Sequence, residues 1–143
     1  MYQKILVALD NTASDASLLP HVCELACLAK SELLLLHVAD GWVARNFEHL
    51  KLAPSEEMQH DMRYLEETAE RLTKEMGLKV GTLLALGNPP EQILKVAERE
   101  NCDLIAMGSH GHKFLGDLWH GSTIDRVRHN TRIPILTVRA EKV

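Results

Sequence analysis

Five short aliphatic runs, separated by segments with helical periodicity, constrain the fold of this chain more than any other feature. They are Ile5–Leu9, Leu33–Val38, Val80–Leu86, Leu104–Met107 and Ile133–Val138. Short apolar runs that do not alternate with polar residues suit strands buried on both faces, as in a parallel sheet. Helix-like segments fall between them, and such alternation argues for an α/β fold: an open five-stranded parallel sheet with helices on both faces. A length of 143 residues suits one domain spanning 1–143, large enough for a sizeable core. Pro134 and Thr137 in the last run suit a strand at the edge of the sheet.

The intervening segments carry helix signals. Thr12-Ala-Ser-Asp15 has capping-box spacing and precedes the apolar face Leu18, Leu19, Val22, Cys23, Ala26 and Ala29. Ser55, Glu56 and Glu57 open a second helix, whose stripe runs Met58, Met62, Leu65, Ala69, Leu72 and Met76 until Gly77 stops it. Fewer than three heptads favour packing on the sheet over a coiled-coil seam. Asn88-Pro-Pro-Glu91 supplies a cap, a first-turn proline and an acid, followed by Ile93, Leu94, Val96 and Ala97. Ser122 and Asp125 again have capping-box spacing, which predicts a fourth helix from about Thr123 to Asn130.

Chemistry is expected at the carboxyl ends of the strands, because ligands of open α/β sheets collect there. Asp10 ends the first run, either as a ligand-binding acid or as a turn acid before the helix. The fourth run leads into a loop with Gly108 and Gly111, then Gly121-Ser122 at the expected helix start. Glycines let backbone amides come close to a ligand, and first-turn amides favour an anion such as phosphate. The alternative is that these are turn glycines and Ser122 is a cap. The loop lacks the P-loop signature, and the turn after the first strand lacks the dinucleotide fingerprint.

This pattern, Gly108-x2-Gly111-x9-Gly121-Ser122, resembles the nucleotide-binding motif of the universal stress protein family. The resemblance extends to Lys4–Asp10, Leu34–Val38, the Gly87-Asn-Pro-Pro turn and Ile133–Val138, in the family's order along nearly the whole chain. It implies strand order 3-2-1-4-5, with Asp10 and the glycine loop meeting at a switch point between strands one and four. It also implies an ATP-binding stress-response or regulatory protein. Ala8, Asp10 and Val38 would serve the nucleoside side, Val38 through its backbone. Met107, Gly108, Gly111, Gly121, Ser122 and Thr123 would continue the pocket to the phosphates. Magnesium or manganese would come with the nucleotide, bound mostly by its own oxygens. Family habit and the edge strand imply a homodimer through residues 133–138. The chain departs from the family by carrying Asp10-Asn11-Thr12 where Asp-Gly-Ser is common.

Other features mainly exclude. A formal net charge of −4 offers nucleic acid no general attraction, although eight histidines could reverse the sign in mild acid. No run approaches the ~20 apolar residues of a membrane span, and no secretory signal pattern opens the sequence. Three cysteines in no disulfide spacing point to a reducing cytoplasm. Cys23, Cys27 and Cys102 read as core residues rather than metal ligands. His37 is open between a base and a satisfied strand-end residue; His110, His112 and His120 are open among metal ligands, bases and phosphate donors, with His110 and His112 read as phosphate neighbours, and Lys113 is open between added charge and a solvated loop lysine. Residues 40–54 read as a crossover, or as a lid or partner surface. No nucleophile–base–acid arrangement is legible, so binding is expected to exceed any turnover. The rivals are a slow ATPase or phosphotransferase on the same pocket, and a nucleotide-free interaction module.

Overall fold

A computed structural model describes residues 1–39, 56–109 and 118–141, with backbone only for 118–122. The elements run β1 Lys4–Ala8, α1 Ala13–Ala29, β2 Glu32–Ala39, α2 Glu56–Met76, β3 Val80–Leu86, α3 Pro89–Arg99, β4 Leu104–Ser109, α4 Leu118–His129 and β5 Ile135–Arg139. The strands form one parallel sheet in the order β3-β2-β1-β4-β5. Chain direction across the sheet reverses between β1 and β4, so a topological switch point lies there.

Side-chain alternation along each strand divides the core into two layers. Ile5, Val7, Leu33, Leu35, Leu104 and Ala106 face Leu18, Leu19 and Val22 of α1 and Leu65, Ala69 and Leu72 of α2. Leu6, Leu34, Leu36, Ile105 and Met107 face Ile93, Val96 and Ala97 of α3 and Val127 of α4. Both faces are therefore covered, which is why the strand sequences are aliphatic throughout. Each large side chain buried this way stabilises the fold by ~1.5–3 kcal/mol.

Local signals fix the ends of the helices. Thr12 is the N-cap of α1, and its hydroxyl accepts from the Ser14 amide at 3.3 Å. At the other end Lys30 takes the left-handed conformation, with φ 57°. Asn88 caps α3 by accepting from the Glu91 amide at 3.4 Å, with Pro89 in the first turn. Gly77 closes α2 at φ 65°, its amide donating to the Thr73 carbonyl at 3.0 Å.

Several expectations are corrected. Helix α4 starts at Leu118, not at Ser122, so Gly121 lies in its first turn and Ser122 is not its cap. Nothing in Leu118-Trp-His breaks a helix, and one helical glycine costs only ~1 kcal/mol, so the helix extends back through it. The buried stripe of α2 is Met58, Asp61, Leu65, Thr68, Ala69 and Leu72. Met62 is half-buried and Met76 is exposed. Cys27 is exposed rather than core, whereas Cys23 and Cys102 are buried. Strand β5 begins at Ile135, after Pro134. The segment 40–54, Gly111, His110, His112 and Lys113 lie outside the described residues, as does the His120 side chain.

Candidate functional site

At the carboxyl ends of β1, β2 and β4 the sheet opens into a cleft with about 480 Å³ of empty space, part of it continuous with solvent. β1 and the turn after it contribute Ala8, Leu9 and Asp10; β2 contributes Leu36, His37 and Val38; β4 contributes Met107 and Gly108. Pro89 and Ile93 of α3 and Thr123 and Ile124 of α4 complete the wall. The cleft is mostly apolar, as small-ligand pockets are. Its acid, Asp10, sits at the switch point, where ligands of such sheets bind.

The structure thus brings together six residues singled out in the sequence: Ala8, Asp10, Val38, Met107, Gly108 and Thr123. Gly121 and Ser122 directly precede Thr123 in the first part of α4. Gly111 lies outside the described residues. Gly108 has a packing reason beside any role toward a ligand. A Cβ there would lie 3.1 Å from Ser14 Oγ and 3.2 Å from Ser14 Cβ, so the absent side chain lets α1 approach β4.

The turn that carries Asp10 is held by a polar network. Asp10 Oδ1 accepts from the Thr12 amide at 3.0 Å and the Thr12 hydroxyl at 2.6 Å, and Ser14 Oγ lies 3.3 Å from both carboxylate oxygens. Asn11 occupies the left-handed region at φ 60°, which asparagine tolerates better than most residues and glycine better still. That explains how Asn11 substitutes for the family's glycine.

Two buried acids anchor the same turn. Asp15 accepts from the Asp10 amide at 3.2 Å, the Asn11 amide at 2.9 Å and the Tyr64 hydroxyl at 2.7 Å. Thus Asp15 reaches the two residues before Thr12, a displaced version of the expected capping box. Burial pushes its pKa up to about 6; the Tyr64 hydroxyl opposes that shift, and the neighbouring Asp10 charge reinforces it. Burial also raises Tyr64, and its hydrogen bond to Asp15 adds to the effect. Asp61 of α2 accepts from Asn11 Nδ2 at 3.3 Å and faces His37 Nε2 at 3.2 Å. His37 Nδ1 lies 2.8 Å from the Leu9 carbonyl. His37 is therefore a satisfied residue. Sequence reading took Asp15 only as a capping acid and missed Asp61 and Tyr64, although Asp61 left a signal: a carboxylate on the three-four spacing of Met58, Leu65, Thr68 and Leu72.

Fold and cleft together define an open-sheet α/β protein with its pocket at the switch point. The chain belongs to the universal stress protein family, which it matches over residues 1–139. It is 32% identical over 159 residues to universal stress protein MJ0577 of Methanocaldococcus jannaschii, covering 97% of this chain and 96% of that protein. The solved structure of MJ0577 superposes with a TM-score of 0.74 at 31% identity, covering 100% of this chain and 99% of that one. Two more distant members share the fold. A universal stress protein solved in complex with cAMP has a TM-score of 0.70 at 16% identity, covering 98% of each chain. One from Archaeoglobus fulgidus in complex with dAMP has a TM-score of 0.67 at 18% identity, covering 96% of this chain and 98% of that one.

Proposed function

We propose that this protein binds ATP in the switch-point cleft and acts as a cytoplasmic stress-response or regulatory protein. The observation that carries the reading is the convergence of Ala8, Asp10, Val38, Met107, Gly108 and Thr123, far apart in sequence, on one apolar cleft with an acid in its wall. The fold accommodates adenine nucleotides in the cAMP and dAMP complexes of its distant relatives, which supports the same ligand class here.

In this reading the base lies between the apolar walls and meets the Val38 backbone, and the Asp10 carboxylate accepts from ribose hydroxyls. The phosphates extend toward the first turn of α4. A helix starting at Leu118 leaves the amides of residues 118–120 without intrahelical partners, directly before Gly121. Gly111 and Ser122 complete the cradle. Magnesium or manganese would arrive with the phosphates. Asp10 already accepts from Thr12 and Ser14, so the cation's ligands come mainly from the nucleotide. Functional units are homodimers joined through residues 133–138. No catalytic residue is assigned.

The test is ATP titration by calorimetry of the parent and Gly121→Val, with circular dichroism to verify the fold. A β-branched side chain at this first-turn position should displace two charge-assisted contacts and weaken binding roughly a hundredfold. A folded Gly121→Val that binds ATP as tightly as the parent would remove the cradle assignment. Failure of the parent itself to bind would remove the nucleotide reading.

A further inference from the structure

His37 and Asp61 form a pair whose geometry requires a proton that neither neutral imidazole nor carboxylate supplies alone. The Leu9 carbonyl can only accept, so His37 Nδ1 must carry a hydrogen across the 2.8 Å contact. Neutral imidazole has just one N–H, which would leave a bare Nε2 lone pair facing Asp61 Oδ2 at 3.2 Å. Two lone pairs in that position repel. A proton between them, on either atom, turns repulsion into a charge-assisted or acid–imidazole hydrogen bond. Both side chains are about nine-tenths buried, at 13% and 10% exposure, so water cannot easily replace the lost bond.

The pair holds both flanks of the Asp10 turn. Its His37 end bonds the carbonyl of Leu9, and its Asp61 end bonds the side chain of Asn11 at 3.3 Å. Asp10 is the residue between them. We propose that the His37–Asp61 pair is a proton-dependent positioning device for Asp10, so that nucleotide affinity falls as pH rises and the shared proton leaves. This rests on the nucleotide reading above. On deprotonation one partner turns away from the other, which releases Leu9 or Asn11 and loosens the turn that presents the Asp10 carboxylate.

Among the described residues, the other ionisable groups in the network are Asp10 on the turn, Asp15 on α1 and Tyr64 on α2. From β3 the residue in register with His37 is Leu84, which carries no charge. Asp15 and the phosphates of ATP also titrate near the acid end of the relevant range. An Asp61→Asn comparison removes both contributions. The amide that this substitution puts in place of the carboxylate can donate to neutral His37 Nε2 while its oxygen still accepts from Asn11, which closes the ring without the extra proton.

The experiment measures ATP affinity of the parent and Asp61→Asn between about pH 5.5 and 8.5. Taken as the ratio of parent to variant, affinity should fall about tenfold across the interval, the scale of one charge-assisted hydrogen bond. Alongside, ¹⁵N NMR of His37 in the nucleotide-free protein should show the shared proton at the acid end and its loss over the same interval. A parent-to-variant ratio that stays flat overturns the proposal. So does a His37 that is neutral throughout, or one that titrates in a different interval from the affinity. If ATP fails to bind at any pH while NMR still shows the proton leaving, the nucleotide reading fails and the positioning role fails with it.

Discussion

Asp15 is buried to 3% exposure and receives three hydrogen bonds, yet burial dominates and lifts its pKa from 3.8 to about 6. An acid whose folded pKa is raised favours the native state while it is protonated. Its contribution is therefore fully present below about pH 3.8 and is lost as pH rises through about 6. The difference is on the order of 3 kcal/mol. Urea unfolding of the parent and Asp15→Asn at a series of pH values should show the parent losing stability relative to the variant as pH rises through that window. The opposite slope would mean that the three donors hold Asp15 ionised in the native state. Single residues were unevenly legible in the sequence. Ala8, Asp10, Val38 and Met107 could be found because they end or follow aliphatic runs. Asp61 and Tyr64 could not be assigned to the Asp10 turn, because only the approach of α2 to that turn brings them there, and Asp15 was legible only as a capping acid.

Helix α2 shows how an element can be recognised while its face is misjudged by a fraction of a turn. The apolar spacing located the helix and its stop at Gly77, but the buried stripe takes Asp61 and Thr68 and leaves Met76 out. Polar residues join it because Asp61 is satisfied by Asn11 and His37, a compensation that composition does not reveal. The rotation is testable by truncation. Leu65 is fully buried against the α1 and β1 layer, so Leu65→Ala should cost ~2–5 kcal/mol through lost transfer energy and a residual cavity. Met76 is 42% exposed at the helix end, so Met76→Ala should change stability by only ~0.5 kcal/mol. Denaturant midpoints at constant slope would check both, and equal losses would mean that the six-residue apolar stripe read from sequence is the buried one. The start of α4 was misread for a different reason. Ser122 and Asp125 offer a real capping spacing, but the turn before it has no breaker to stop the helix reaching back to Leu118.

At the scale of the molecule, alternation of elements established a parallel sheet, whereas the order β3-β2-β1-β4-β5 came from resemblance and not from any single run. That order places β5 at an edge, and an aliphatic edge strand invites pairing. The hydrogen-bond alternation shows which of its groups are offered. The Pro134 carbonyl accepts from the Ile105 amide, and the Ala140 amide donates to the Ser109 carbonyl. Even-numbered residues of β5 therefore bond β4, and odd-numbered ones turn their amides and carbonyls outward, where no described strand pairs. Thr137 is the central residue of the outward set. If two copies join through this edge about a two-fold axis, the Thr137 amide becomes an interface donor, while the sheet within each copy does not use it. Light scattering of the parent at micromolar concentration should then give about twice the 16.1 kDa chain mass. Thr137→Pro removes one outward N–H and leaves the bonds to β4 in place, so it should shift the mass to that of a single chain while circular dichroism stays native-like. A parent that is monomeric throughout, or a folded Thr137→Pro that stays dimeric, would show that copies do not join through the β5 backbone.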